Sequence, residues 1–572
     1  MTKLYIGVFF LFGLHYSAQE SKTVWQKDLK SSTQDFLSAM TSTLDRQLML
    51  AGSSINQKKP QLPTGSVQNK GYDYHAVKLD QNGNKVWDRY FGGTRHDYLM
   101  ASISTQEGGF LLAGTSLSNQ SGEKVSDNVG GSDVWIIRLD ENGEDLWQQT
   151  LGTSGNDEAG AVVQTTDQGF FVAGNINSHQ QLFGSKDVFI SKLSKEGKLI
   201  QTTVLGGTGL DEVTAMIATE DGGSLIAIYT TSGATEDKVW TVPEKSTGPS
   251  TDQRGADTPI KRSSDLLESL MATTTTAGSY GGSAVSRQLY GKSEDNMGSG
   301  DYWIVKLDKD GKIEWQKSYG GRDDDRAKAI SFTENGYLIA GESRSQSSGN
   351  KKENSKEGTD VWMISVDKEG SELWQKNYSF GNRDVVMSLD VIRKTGRNNQ
   401  SEDRGYLIGG YTQAEEKIEA DDEKFWMLYL DPKGKEEWRK HVEGKSRKKE
   451  ERLVSAKLQY DGTFLLAGTS AEELGQENWK VVKLGSKELE DLVEKQEIRI
   501  YPNPVDDYAY VEIGLEFQEA EIALYDMTGR QIQTIKTKNK VTKINTASLP
   551  QGVYLVAAKT ENTVVNAKIV KK

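Results

Sequence analysis

The sequence predicts an all-β protein built from repeated four-stranded units. One sequence pattern recurs along the chain. The apolar runs are short and rich in strand-forming residues, and Gly-bearing turns separate these runs. In the pattern, an aspartate is followed after six residues by Leu-Asp or a similar pair, then by Gly and Trp. Such self-similarity indicates a repeat architecture. The clear copies are Asp73 to Trp87, Asp133 to Trp147, Asp301 to Trp315 and Asp360 to Trp374, with weaker copies from Asp187 (Gln201 at the Trp position) and from Lys424 to Trp438.

Each unit contains four predicted strands. In the unit from Asp133, residues 134–139 are rich in β-branched and aromatic residues, and residues 140–143 have turn chemistry before the strand of Trp147. The runs 161–164 and 170–174 supply the other two strands. A unit is therefore a small antiparallel sheet.

Units of this kind, spaced by 54 to 64 residues apart from one longer interval, predict a β-propeller. A sandwich or a β-solenoid is the less natural alternative. Six units start within the chain, and a seventh starts at Asn478 and is completed by N-terminal segments around Trp25 and 48–52. We predict a seven-bladed β-propeller over residues 19–486, closed by joining the N- and C-terminal strands, with a long insertion at 230–300.

Composition excludes several functional classes. The chain has no cysteine, so disulfides, Cys-ligated zinc, a thiol nucleophile and a lipoprotein anchor are not expected. A net charge of −13 argues against nucleic-acid binding. Residues 1–18 have the features of a signal peptide, with Lys3, an apolar run at 4–14 and Ala18 before the cut. No later segment is predicted to span a membrane as a helix.

A separate module follows the repeats. Residues 487–497 form a charged linker, and residues 498–572 have the pattern of a small β-sandwich. Its landmarks are Pro502-Asn503-Pro504, then Leu524 to Arg530 around Gly529, then Leu549 to Leu555 with Gly552 and Tyr554, and a final Lys568-Ile569-Val570-Lys571.

These landmarks resemble the type A C-terminal sorting domain of the type IX secretion system of Bacteroidota. The alternative is a generic β-sandwich adhesion module. The resemblance implies signal-peptide-dependent export to the extracellular space or outer-membrane surface of a Gram-negative bacterium. It also implies recognition by the translocon and cleavage by a sortase-like protease. The sorting-signal residues it implies are Pro502, Asn503, Pro504, Gly529, Gly552, Tyr554 and Lys568.

The repeat segment Leu-Asp-x-x-Gly-x-x-x-Trp is similar to the tryptophan-docking motif of quinoprotein propellers. That resemblance implies that the motif joins the third and fourth strands of a blade and that the Trp packs against the next blade. It also implies that Trp25 lies in the outermost strand of the last blade. The repeat tryptophans are Trp25, Trp87, Trp147, Trp315, Trp374 and Trp438.

A second regularity suggests a candidate ligand site. An aspartate stands ten residues after the Trp position in most units, and we predict a ring of carboxylates at the channel mouth that could bind a cation or a cationic ligand. The alternative is that each aspartate caps its own Gly-rich turn. No cofactor or metal site is predicted, although calcium is a candidate for this ring. The positions are Asp35, Asp97, Asp157, Asp211, Asp325, Asp384 and Lys448.

Catalytic motifs are not recognisable, so we nominate no catalytic residue. There is no Gly-x-Ser-x-Gly elbow or phosphate-binding Gly loop, and the few histidines are not spaced as metal ligands. We favour a non-catalytic secreted propeller that binds an extracellular glycan or protein in adhesion, gliding or capture. The alternative is a propeller hydrolase or lyase acting on extracellular polysaccharide.

Overall fold

The structure is all-β with almost no helix. It is a computed structural model that describes residues 22–29, 35–56, 71–177, 182–237, 286–395, 401–413, 424–442, 450–459, 461–471, 477–493 and 496–572. The predicted signal peptide (1–18), Lys448 and residues 238–285 of the predicted insertion lie outside these described residues. No helix in the described ranges is long and apolar enough to cross a membrane.

The described strands form nine sheets. The first strand, β1 (Lys22–Leu29), belongs to the last of the seven repeat sheets. Sheet 1 consists of β2 (Phe36–Ser42), β3 (Leu48–Ser54), β4 (Asp73–Leu79) and β5 (Lys85–Phe91). Sheet 2 consists of β6 (Asp97–Ser104), β7 (Phe110–Ser116), β8 (Asp133–Leu139) and β9 (Asp145–Leu151). Sheet 3 contains β10 (Asn156–Gln164), β11 (Phe170–Asn177), β12 (Asp187–Leu193) and β13 (Leu199–Gly206).

The later repeat sheets have the same antiparallel order. Sheet 4 consists of β14 (Asp211–Ala218), β15 (Ser224–Thr230), β17 (Asp301–Leu307) and β18 (Ile313–Tyr319). Sheet 5 consists of β19 (Asp325–Thr333), β20 (Gly336–Ser343), β21 (Asp360–Asp367) and β22 (Glu372–Tyr378). Sheet 6 consists of β23 (Arg383–Thr395), β24 (Ser401–Gln413), β25 (Lys424–Leu430) and β26 (Glu436–Val442). Sheet 7 consists of β27 (Glu450–Leu458), β28 (Thr463–Ala471), β29 (Glu477–Gly485) and β1.

Part of the predicted insertion at 230–300 is ordered as a strand. Within it, β16 (Ser286–Gly291) adds a fifth strand to sheet 3 by pairing in parallel with β13. This strand covers the outer edge of sheet 3, an edge that would otherwise expose unpaired backbone groups.

The repeat sheets contact one another in a circular order. The first strand of each sheet contacts the first strand of the next, and β27 contacts β2 in the same way. An apolar cluster lies between each neighbouring pair; the cluster between sheets 7 and 1 joins Leu50 and Val77 to Trp479 and Val481. Several middle strands are buried along their whole length, as in β4, β8 and β17. Burying a large apolar side chain such as Trp135 stabilises the fold by roughly 2 to 3 kcal/mol.

The repeat tryptophans lie on the turns of the next sheet. The indole N–H groups of Trp87, Trp147 and Trp315 donate to backbone oxygens of residues 141, 195 and 368 at 2.9 to 3.1 Å. A Cβ on Gly197, the turn glycine beneath Trp147, would lie 2.6 Å from that indole. Trp25 in β1 lies on Gly83 of sheet 1 in the same manner. Trp374 packs on Gly434, while Trp438 stacks on Tyr429 of its own sheet.

The C-terminal residues form two further sheets around one apolar core. The connecting segment contains α1 (Lys487–Leu492), which begins after Ser486 and buries Leu489 and Leu492 against sheets 6 and 7. The core combines Val511 and Ile544 from one sheet with Leu524 and Val556 from the other. One sheet contains β30 (Ile498–Tyr501), β31 (Tyr508–Ile513) and β34 (Val541–Asn545), and the other contains β32 (Ala520–Tyr525), β33 (Gln531–Thr537), β35 (Gly552–Lys559) and β36 (Val564–Lys571).

Candidate functional site

The repeat sheets present two different ends. Short turns such as 43–47, 80–84, 105–109 and 140–144 lie at one end, the turn face. Connections such as 92–96, 117–132 and 343–359 lie at the opposite end, which we call the open face.

The C-terminal domain covers part of the turn face. Tyr501 Oη donates to Leu44 O at 2.8 Å, and Tyr508 Oη donates to Gln106 O at 2.9 Å. Arg46 forms an ion pair with Glu512 at 2.5 Å, and Lys543 forms one with Glu141 at 3.0 Å. Among the described residues, the C-terminal domain contacts the turn face and not the open face.

The predicted ring aspartates lie at the starts of the first strands and are buried. Asp35, Asp97, Asp157, Asp211, Asp325 and Asp384 are each at most 2% exposed. The Asp157 carboxylate accepts from Thr153 N at 2.6 Å, and the Asp97 carboxylate accepts from Gly93 N at 2.8 Å. Asp211, Asp325 and Asp384 accept from the backbone N four residues earlier in the same way. These are turn-capping contacts, the alternative that the sequence left open.

A second set of buried aspartates, which sequence reasoning used only as repeat markers, is paired with the first. Each member stands 24 residues before a capping aspartate and opens the third strand of the preceding sheet. At the boundary between sheets 2 and 3, Asp157 N donates to Ser132 O at 2.7 Å, which places Asp157 beside Asp133. The pairs are Asp73 and Asp97, Asp133 and Asp157, Asp187 and Asp211, Asp301 and Asp325, and Asp360 and Asp384.

In two of these pairs, Asp133–Asp157 and Asp301–Asp325, the pKa of both carboxyl groups is raised. Asp133 Oδ1 and Asp157 Oδ1 are both buried without a hydrogen-bond donor. Burial raises the pKa of Asp133 to about 6, and burial together with the Asp133 carboxylate raises the pKa of Asp157 to about 7. Burial likewise raises the pKa of Asp301 to about 7, with Asp325 adding to the effect. One proton shared between two such oxygens would satisfy both.

Buried lysines accompany these pairs, and sequence reasoning missed them. Lys124 Nζ donates to Asn128 Oδ1 at 2.8 Å and to Ser126 O at 2.9 Å, and burial lowers the pKa of Lys124 to about 8. Lys351 donates to Ser355 Oγ at 3.1 Å from an equivalent loop. The signal that could have found them is a Lys nine residues before the third-strand aspartate, as in Lys124, Lys292 and Lys351.

Among the described residues, no group of three or more His, Asp or Glu side chains could hold a metal ion. The carboxylate oxygens of the capping aspartates instead accept from their own turns and from neighbouring hydroxyl groups, such as Ser118 on Asp97 and Ser345 on Asp325. The contacts tie the start of the first strand to the preceding turn in sheets 2 to 6.

An aromatic cluster lies on the open face at the boundary of sheets 1 and 2. The Tyr72 ring lies 5.5 Å from Phe36 and from Tyr98, and His96 stacks on Tyr98 at 5.5 Å. Phe36 is 39% exposed. His96 Nδ1 accepts from Tyr72 N at 3.2 Å, which leaves Nε2 protonated and available as a donor.

A charged pocket lies on the same face at the boundary of sheets 5 and 6. Its volume is about 310 Å³. Glu342 lies in its wall at 8% exposure, 3.6 Å from Lys328 Nζ, and burial raises the pKa of Glu342. The pocket is lined by Asp324, Arg326, Lys328, Glu342, Arg344, Thr359, Arg383, Val385 and Tyr411. None of these residues was nominated from the sequence.

Among the residues of the sorting-signal pattern, Asn503 links two segments of the C-terminal domain. The Asn503 side chain donates to Lys568 O and accepts from Val570 N, each at 3.0 Å, so it pairs with the backbone of β36. Pro502 and Pro504 flank Asn503 in the segment between β30 and β31. Lys568 and Asn503 also line a cleft of about 580 Å³ between the two domains.

The other pattern residues lie away from that cleft. Gly529 has a φ of +85° in a turn whose Asp526 carboxylate accepts from Arg530 N, and Gly552 opens β35. Tyr554 is buried and donates to Pro550 O at 2.7 Å.

Comparison with solved structures finds distant likenesses. The polysaccharide lyase Uly1 is 9% identical, with a TM-score of 0.39 over 85% of this chain and 94% of that chain. A protein of unknown function from Dyadobacter fermentans is 8% identical, with a TM-score of 0.36 over 82% and 99%. Another from Bacteroides caccae is 11% identical, with a TM-score of 0.32 over 72% and 94%. At these scores the likenesses carry no argument. No curated protein matches the chain significantly.

The sequence of the C-terminal domain matches a known domain family. Residues 499–572 match the secretion-system C-terminal sorting domain. The match implies a secreted protein, exported to the cell surface or the extracellular space, that interacts with the type IX secretion machinery. The finding therefore supports a cargo protein of the type IX secretion system.

Proposed function

We propose that this cargo is a non-catalytic binding protein whose seven repeat sheets are the blades of a β-propeller. The ring would be closed by β1, which pairs with β29 from Thr23 to Leu29, and by Trp25 on Gly83 of sheet 1. The circular order of contacts between first strands supports this arrangement. Closure would pair the outer side of β29 and give sheet 7 the same four-strand order as the other sheets.

The proposed ligand is an extracellular glycan or protein bound on the open face. The observation that carries this proposal is that the two ends of the propeller differ in what they present. The C-terminal domain occupies the turn face through Arg46 and Glu512, while the open face presents partly exposed aromatic rings and a charged pocket. Long loops on a rigid scaffold commonly carry binding residues.

The proposed export route combines both ends of the sequence. Residues 1–18 would direct the chain through the inner membrane and be removed after Ala18. The domain at 498–572 would then engage the type IX translocon and be cleaved by a sortase-like protease. The remaining protein would be anchored at the outer-membrane surface or released.

The test is a screen of the purified protein on arrays of glycans and surface proteins, with and without calcium. Turnover of the bound polysaccharides is measured in the same samples. We expect binding without turnover and without a calcium requirement, since the buried carboxylates are occupied by turn contacts. New reducing ends or unsaturated products would contradict the non-catalytic function, and an absence of any ligand would contradict the binding function.

A further inference from the structure

We propose that the pocket at the boundary of sheets 5 and 6, bounded by Arg326, Lys328, Arg344 and Arg383, binds the anionic group of an acidic saccharide. The group would be a uronate carboxylate or a sulfate ester. This inference rests on the proposed binding function and specifies its ligand class.

The first argument is the balance of charge. Four cationic side chains line the pocket against two carboxylates, in a protein whose net charge is −13. The carboxylates are already engaged. Asp324 accepts from Tyr229 Oη at 2.6 Å, and Glu342 lies 3.6 Å from Lys328. Arg326 stacks on the Tyr229 ring at 3.9 Å and lies 3.9 Å from Glu212.

Two arginines keep their charge available. Among the described residues, neither Arg344 nor Arg383 has a carboxylate within ion-pair distance, and both side chains are exposed. Arg344 Nε donates to the buried Thr359 Oγ1 at 3.0 Å, which fixes the guanidinium while its two Nη groups stay free to bind. A guanidinium recognises a carboxylate or a sulfate through two parallel hydrogen bonds.

The pocket wall also contains an unsatisfied polar atom. Glu342 is buried, and its Oε1 lies 3.6 Å from Lys328 Nζ, within ion-pair distance, but accepts no hydrogen bond. A sugar hydroxyl could donate to Glu342 while its anionic substituent meets the arginines, so the pocket offers both groups that an acidic sugar presents.

The aromatic cluster supports a saccharide over a simple anion. Phe36 and Tyr98 belong to the first strands of sheets 1 and 2, and Arg326 and Arg383 to those of sheets 5 and 6. In the proposed seven-bladed ring these boundaries face each other across the mouth. A polysaccharide lying across the mouth would stack sugar rings on the aromatics and place a charged substituent in the pocket.

The experiment measures binding by calorimetry to three sets of oligosaccharides: uronate-containing, sulfated and neutral. It uses the wild-type protein, R344Q, R383Q, the double variant and R95Q. Arg95 is an exposed arginine on the open face at sheet 2, outside the pocket, so R95Q is the matched control for loss of charge. Thermal unfolding of each variant confirms that its fold is retained.

We expect binding to one acidic set, with the affinity reduced about tenfold or more by R344Q or R383Q and unchanged by R95Q. Which acidic set binds distinguishes a carboxylate from a sulfate. Equal binding of neutral and acidic oligosaccharides, or an unchanged affinity in the double variant, would overturn the pocket assignment while leaving the binding function intact. In the array screen described above, binding to surface proteins alone would also overturn the pocket assignment. Binding to neither glycans nor surface proteins would overturn both proposals.

Discussion

The paired aspartates predict an unusual pH dependence of stability. Because the folded-state pKa of Asp157 is raised from 3.8 to about 7, the native protein binds more protons than the unfolded chain between these values. The contribution of protonated Asp157 to the free energy of unfolding should therefore be complete below about pH 4 and should fall as the pH rises towards 7. Replacing Asp157 with Asn removes the titrating group. The Asn side chain can still accept from Thr153 N and can donate to Asp133 Oδ1.

The size of the effect follows from the pKa. One pKa unit corresponds to about 1.4 kcal/mol, so ionising Asp157 in the folded protein costs on the order of 2 to 4 kcal/mol, less where Asp133 stays protonated. We expect D157N to raise the free energy of unfolding at pH 8 by up to that amount and to leave it nearly unchanged near pH 3, below the unfolded pKa.

The assay is urea unfolding followed by tryptophan fluorescence at several pH values. D140N is the matched control of opposite sign. Burial alone would raise the pKa of Asp140, but hydrogen bonds from Glu144 N and Asn142 N hold it below its usual value. D140N should therefore lose some stability at pH 8. If D157N is less stable than the wild type at pH 8, the carboxyl pair is not destabilised by ionisation and the reasoning is wrong.

Three further predictions concern the packing of the sheets. Gly197→Ala should lower the melting temperature more than Gly108→Ala. Both glycines have φ above +80°, but only a Cβ at 197 would lie 2.6 Å from an indole. Equal losses would show that the contact is unimportant. Removing residues up to 29 should make the protein aggregate and lower its melting temperature, since β29 keeps β28 but loses its outer partner β1; an unchanged monomer by light scattering would contradict this. Deleting residues 496–572 should increase hydrogen exchange at the turns 43–47 and 105–109, whereas unchanged protection would indicate that the domains do not interact in solution.

Much of the secondary structure could be predicted from the sequence because the repeat fixes the register. The Asp-to-Trp pattern marks the third strand, the tight turn and the fourth strand of a sheet, and Asp133 to Trp147 runs from β8 into β9. The strand of Trp25 could be inferred from the incomplete unit at Asn478, and β1 pairs with β29. These features depend on neighbours within one unit, which a single sequence shows directly.

The candidate site could not be predicted because it depends on contacts between units. Asp157 has the same local sequence whether its carboxylate faces the mouth or is buried, and only the placement of Asp133 on the preceding sheet decides it. The pocket likewise combines Arg326 and Arg344 of one unit with Arg383 of the next. Strand β16 was missed since it joins sheet 3 from within an insertion in sheet 4.

The residue immediately after each capping aspartate differs between sheets. This variation explains how a repeated fold can acquire one specific binding site. The aspartate recurs in six of the seven units as a turn cap, whereas its neighbour varies. The neighbour is aromatic in sheets 1 and 2, acidic in sheets 3 and 4, basic in sheet 5 and apolar in sheet 6: Phe36, Tyr98, Glu158, Glu212, Arg326 and Val385.

The acidic pair in this series is neutralised within the protein. Lys186 Nζ lies 3.0 Å from Glu158 and 2.9 Å from Glu212. In the proposed binding face, Phe36 and Tyr98 would contact the ligand, while Arg326, which stacks on Tyr229 and lies 3.9 Å from Glu212, borders the charged pocket. A binding face of this kind is polarised, with stacking surface at one side and positive charge at the other, and it would orient an acidic polysaccharide across the mouth in one direction.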